Sequence, residues 1–96
     1  MRLDDKIKYF LKQAFGEKIP GARLYLFGSR TNENALGGDI DLMILTNDYV
    51  DKKIFRTIRV EFYKKFGWQK IDIVIFRYDD ESVFRQLIQT NAIELL

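Results

Sequence analysis

Asp39, Asp41 and Asp72 are the side chains in this sequence best placed to do chemistry, because each stands inside or at the start of an apolar run. The first two belong to Gly38-Asp39-Ile40-Asp41-Leu42-Met43-Ile44-Leu45, the third to Ile71-Asp72-Ile73-Val74-Ile75-Phe76. Both runs read as buried strands, where Asp is rare because its carboxylate requires solvent or a partner. Residues i and i+2 of a strand face the same way, so Asp39 and Asp41 project together, and Asp72 joins them if the two strands are neighbours. Carboxylates held in such a group repel one another unless a cation neutralises them. Oxygen-only ligands favour a hard divalent ion, and Mg²⁺ fits best. The Asp-x-Asp pair alone is weak evidence: two solvated carboxylates at a strand's mouth, or charges that blunt a sheet edge, would look the same.

A second feature lies upstream, in Arg23-Leu24-Tyr25-Leu26-Phe27-Gly28-Ser29-Arg30. An apolar strand runs directly into Gly-Ser, where glycine permits tight-turn dihedrals and close approach of a ligand to the backbone. Amide groups there, with the Ser29 hydroxyl, would form a concave donor site for phosphate oxygens. An ordinary strand-to-helix turn with Ser29 as N-cap accounts for Gly28-Ser29 taken by itself.

The elements that must position these residues follow from periodicity. Leu3, Ile7, Phe10, Leu11 and Ala14 form a helical stripe, interrupted by Gly16 and Pro20-Gly21. Residues 23–27 form the first strand, residues 30–36 a short helical turn, and Gly37-Gly38 resets the chain before the second strand. Asp48 caps the next helix, on which Ile54, Phe55, Ile58, Phe62 and Phe66 share a face and which Gly67 ends. The third strand runs from about Lys70 to Phe76, and Ser82 caps a last helix carrying Phe84, Leu87 and Ile88. The order predicts an α/β (α+β) domain spanning 1–96, with a small mixed sheet and helices packed on one face. Ile40, Leu42 and Ile44 would face the helices and the aspartates the other side.

Composition excludes several classes. A chain of 96 residues with 47% hydrophobic and 31% charged content builds one modest core and is not disordered. It contains no Cys and no His, which removes disulfides, thiolate metal sites, imidazole bases and the usual zinc ligands. Acid–base work falls to carboxylates, Lys, Tyr or bound water. The sequence shows no signal peptide and no apolar stretch of membrane-spanning length, so a cytoplasmic location without membrane association is expected. A net charge of +2 gives no ground for direct nucleic-acid binding. Lys52, Lys53, Arg56, Arg59, Lys64 and Lys65 read as a solvated helix face, or else as a patch for phosphates or an acidic partner. Eight Phe, five Tyr and one Trp are many for so small a core. Tyr9, Tyr49, Tyr63, Trp68 and Tyr78 suit either the core's rim or an interface.

Gly28-Ser29, nine intervening residues, then Asp39-Ile40-Asp41 and a distant Asp72 form an ordered combination far more specific than its parts. It resembles the signature of the polymerase-β-like nucleotidyltransferase superfamily, and most closely the minimal nucleotidyltransferases (MNT), small stand-alone prokaryotic members. Leu26-Phe27-Gly28-Ser29-Arg30 and Gly37-Gly38-Asp39-Ile40-Asp41-Leu42 look like that family's strings, and the likeness runs from the first helix to about Ala92. The resemblance implies the polymerase-β-like fold and catalysis by Asp39, Asp41 and Asp72. One Mg²⁺ on Asp39 and Asp41 would grip a triphosphate. A second, shared with Asp72, would activate an acceptor hydroxyl, unless Asp72 takes its proton directly. Gly28 and Ser29 would hold the β- and γ-phosphates, with Arg30 either a further phosphate ligand or part of a surface salt bridge.

The resemblance also implies ATP as the nucleotide and a helical HEPN-type protein as partner, because MNT antitoxins transfer AMP to a tyrosine of a HEPN toxin. Two other readings stand beside it: a non-catalytic module that neutralises a partner by occlusion, and nucleotidylation of small molecules, for which relatives carry an added domain. One departure from the pattern is Thr31-Asn32-Glu33-Asn34, where relatives often have a second basic residue. Weaker triphosphate binding is the expected consequence.

Overall fold

The computed structural model describes residues 4–28, 39–90 and 92–96. Helix α1 (Asp5–Lys18) starts at Asp4, whose carboxylate accepts the Lys6 amide at 2.7 Å, satisfying one of the unpaired donors of a first turn. Leu11, Ala14 and Phe15 lie on its buried face. The helix runs through Gly16 to Lys18 rather than breaking there. The roughly 1 kcal/mol that an interior glycine costs is offset by burial of Phe15 and Ile19 on either side of it.

Strands β1 (Arg23–Phe27) and β2 (Ile40–Leu45) are antiparallel neighbours, and β2 pairs in parallel with β3 (Ile71–Phe76). The parallel pair requires a crossover, which α2 (Lys52–Phe66) supplies. After α3 (Val83–Thr90), a two-residue strand β4 (Ile93–Glu94) closes the free side of β1, giving the order β3-β2-β1-β4. The sheet is mixed, as expected. β4 is too short to show an alternation in sequence, and it is held largely by backbone contacts such as the Leu95 amide to the Leu24 carbonyl at 2.7 Å.

Helix α2 is capped by Asp51, whose side chain accepts from the Lys53 amide at 2.9 Å, and not by Asp48. Both residues suit the role. The segment between them is spent returning Val50 to the core, while the Asp48 amide donates to Thr46 Oγ1 at 3.2 Å. Gly67 ends the helix as expected, at φ +90 with its amide donating to the Tyr63 carbonyl.

β2 is one of the two inner strands, and its two faces are buried against different partners. Leu24, Leu26, Ile40, Leu42, Ile44 and Ile71 pack against α1 and α2 through Phe15, Phe55, Ile58 and Phe62. Phe10 ties the two helices together, edge-on to Phe62 and Phe66 with ring centroids 5.8 and 5.7 Å away. The two long helices thus share one face, as the sequence indicated. The short α3 adds cover on the reverse, where Ile88 packs with Tyr25, Met43 and Leu45 and Phe84 meets Phe76 at 5.9 Å. Without it those apolar side chains would face water. Ser82 begins α3, its hydroxyl accepting from the Arg85 amide at 3.2 Å. Among the described residues no helix is long and apolar enough to cross a membrane.

Candidate active site

Ile40, Leu42 and Ile44 commit one face of β2 to the core, so the alternation of the strand sends Asp41 to the other face together with Met43. The parallel register pairs Asp41 directly with Asp72 of β3, and the antiparallel register places Phe27, hence the end of β1, beside Asp41. Asp39 and Lys70 both sit just ahead of their strands, immediately before the Ile40–Ile71 pair, and the Ile40 amide donates to the Lys70 carbonyl at 2.9 Å. The three aspartates and Gly28 therefore meet at one corner of the sheet. Ser29 and Arg30 lie outside the described residues, as do the expected helical turn at 30–36 and Gly37-Gly38.

Gly28 has φ +77, a left-handed conformation that costs most residues about 1–2 kcal/mol. A Cβ built there would collide with the Asp41 carboxylate, coming within 3.2 Å of its Cγ. Glycine therefore does two things here: it adopts the left-handed conformation, and it leaves the room that Asp41 occupies.

Burial pushes the Asp41 carboxyl above its ordinary range. The negative charges of Asp72 and Asp39 and a hydrogen bond with Asp72 push the same way, while Lys70 opposes them. The Lys70 ammonium stands 3.6 Å from Asp39 Oδ2 and 3.9 Å from Asp72 Oδ2. These two carboxylates are about half exposed, at 47% and 50%.

Sequence reasoning missed two residues at this corner. Lys70 carries the alternation one step back from Asp72, a signal that was present in the i, i+2 spacing. Arg59, counted among the basic residues of α2, instead donates through Nε and Nη2 to the Ile71 carbonyl at 3.1 and 2.9 Å. It pins the first residue of β3 between Lys70 and Asp72. The rest of the basic group lies on α2, on the far side of the sheet from the aspartates.

As placed, no three acidic side chains among the described residues stand close enough to enclose a metal ion. The donor set nonetheless fits one: the ligands on offer are carboxylate oxygens, their charges are incompletely balanced, and an ammonium has already been drawn in between two of them. Hard oxygen donors of this kind suit Mg²⁺.

The family model for "Polymerase beta, Nucleotidyltransferase" matches residues 5–96. The chain belongs to this nucleotidyltransferase family. The nucleotidyltransferase domain also shares its fold with solved toxin–antitoxin structures. A toxin–antitoxin complex with AMP-PNP aligns with TM-score 0.71 at 21% identity, over 93% of this chain and 72% of that one. A tri-AMPylated HEPN toxin of Shewanella oneidensis in complex with its MNT antitoxin gives 0.65 at 21% identity, over 93% and 68%. A variant of the MntA-HpeT toxin–antitoxin pair gives 0.70 at 19% identity, over 93% and 71%. No curated protein matches the sequence.

Proposed function

We propose that this nucleotidyltransferase domain is a Mg²⁺-dependent enzyme that transfers a nucleoside monophosphate, AMP from ATP, to a tyrosine hydroxyl of a HEPN-type toxin, and so acts as an antitoxin. The observation that carries the reading is the cross-strand pair of Asp41 and Asp72, with Asp39 and the glycine turn at Gly28 at the same corner. Gly28 lies beside Asp41 in a left-handed conformation, and Ser29 and Arg30 follow directly in sequence, so this segment would hold the β- and γ-phosphates. Asp39 and Asp41 would hold the ion, with Asp72 as third ligand. Bound there, Mg²⁺ would neutralise phosphate charge and lower the pKa of the acceptor hydroxyl.

The half-exposed Asp72 would either share the metal or accept the hydroxyl proton directly. The hydroxyl oxygen would attack the α-phosphorus, and pyrophosphate would leave with the electrons of the broken α–β phosphoanhydride bond. The chain's own contribution is mainly positioning and electrostatic stabilisation. An adenine nucleotide and a HEPN-type acceptor are supported by the AMP-PNP complex and the AMPylated HEPN toxin among the structural neighbours, while the tyrosine follows from the family resemblance. Room for a protein acceptor is supported by exposed apolar side chains. Val83, Phe84 and Leu87 of α3 are exposed on the aspartate side of the sheet, and Tyr9, Tyr49 and Trp68 are exposed elsewhere. Such groups are enriched in interfaces.

The test is transfer of label from ATP labelled at the α-phosphate to the co-expressed HEPN partner, with wild type and Asp41→Asn compared. Label on the partner that disappears with Asp41→Asn supports the reading. Neutralisation of the toxin by Asp41→Asn, with no label transferred by either protein, would instead establish occlusion without catalysis.

A further inference from the structure

Lys70 enters no step of that reaction, yet its ammonium sits among the carboxylates that would perform it. Its backbone is fixed: the carbonyl is held by the Ile40 amide, and the next carbonyl by Arg59. Its side chain is not. The ammonium lies 3.6 and 3.9 Å from its two partners and the side chain is 57% exposed, beyond hydrogen-bond range and free to turn about a four-carbon stem.

We propose that Lys70 is a built-in counter-cation of the aspartate corner. It holds Asp39 and Asp72 together before the divalent ion binds and weakens uptake of the bare ion, so that metal enters with the nucleoside triphosphate. The inference rests on the metal-dependent reading above. A divalent ion approaching Asp39 and Asp72 alone meets a positive charge already in contact with both, and must displace it against like-charge repulsion. A metal–triphosphate complex brings several negative charges with it. Lys70 can then swing from the carboxylates to a phosphate oxygen, as a point charge suited to phosphate, and the repulsion becomes an attraction. Lys70 opposes the negative neighbours of Asp41 as well, so it acts on all the candidate ligands. This makes Lys70 a positioning residue that couples metal and nucleotide binding.

The experiment measures Mn²⁺ affinity, from the electron paramagnetic resonance signal of the free ion, with and without AMP-PNP. Wild type, Lys70→Met, Lys70→Arg and Asp41→Asn are compared, each first checked by thermal melting. Lys70→Met should tighten binding of Mn²⁺ alone by about three- to tenfold, the equivalent of one or two exposed ion pairs. It should also shrink the gain in Mn²⁺ affinity that AMP-PNP confers. Lys70→Arg keeps the charge and should behave as wild type, which loss of packing alone would not explain. The proposal is overturned if Lys70→Met takes up Mn²⁺ alone no better than wild type. If that happens while Asp41→Asn loses Mn²⁺, the metal-dependent reading survives without the role for Lys70. If Asp41→Asn binds Mn²⁺ as wild type does, the reading of the corner as a metal site fails and takes the proposal with it.

Discussion

Replacing Gly28 by alanine separates the two demands that the structure makes on this residue, because another glycine makes only one of them. Gly21 has φ +82 and nothing within 4 Å of an added Cβ, whereas Gly28 has φ +77 and would set its Cβ against the Asp41 carboxylate. Each alanine carries the strain of a left-handed residue, about 1–2 kcal/mol. In a domain of this size, that amounts to a fall in Tm of very roughly 4–15 °C. At Gly28 the obstructing atoms belong to a side chain, the nearest being a carboxylate oxygen. The fold can relieve the contact by rotating Asp41, so Gly28→Ala should melt within about 1–2 kcal/mol of Gly21→Ala. Catalysis cannot relieve it so cheaply. A shift of about 1 Å in a reacting group can cost on the order of a hundredfold, and Asp41 must move by about that much. Under the proposed function, label transfer from ATP to a HEPN-type acceptor should therefore fall about a hundredfold in Gly28→Ala and stay near wild type in Gly21→Ala. Gly28→Ala activity within about threefold of wild type, well short of the hundredfold expected from such misplacement, would refute the close approach of Gly28 to Asp41.

Two further outcomes follow from the same geometry. The folded chain keeps a proton on Asp41 at pH values where the unfolded chain has released it, so metal-free stability should fall as pH rises from 3.8 through the raised folded value. Below 3.8 both states hold the proton and the effect vanishes. Asp41→Asn removes this slope, and melting curves in a chelator across that window should show the variant gaining on wild type as pH rises; parallel curves would contradict the burial and charge crowding around Asp41. For the helix cap, Asp51→Ala should destabilise by about 1 kcal/mol. Asp48→Ala should stay within about 0.5 kcal/mol of wild type. Chemical denaturation distinguishes the two, and equal losses would return the cap to a shared role.

Much of this corner was legible because the strands advertise themselves. The alternation in Asp39-Ile40-Asp41-Leu42 assigns the aspartates and the core residues to opposite faces of one strand, and the structure sends Asp41 away from the core face of Ile40 and Leu42. The bounds of β1 and the stop at Gly67 were equally plain, since an apolar run and a left-handed glycine are local signals. The rest depends on partners distant in sequence. Asp48 and Asp51 are equivalent as caps until the route of Val50 is known. Arg59 looks like any basic residue of α2 until the Ile71 carbonyl comes within its reach. The place of α3 on the aspartate side depends on Tyr25, Met43 and Leu45 needing cover, which only the assembled sheet reveals.

The direct pairing of Asp41 with Asp72 in the parallel register also makes the acidic residues into markers of correct assembly. A slip of β3 by one residue along β2 would turn Asp72 toward α1 and α2 and bring Ile71 and Ile73 out on the other side. An unpaired carboxylate would then lie in an apolar layer, at a cost of several kcal/mol. The aspartates proposed to hold the metal thus penalise the nearest misfolded pairing, and a neutral residue at position 72 would remove that proofreading along with any proposed role in the reaction.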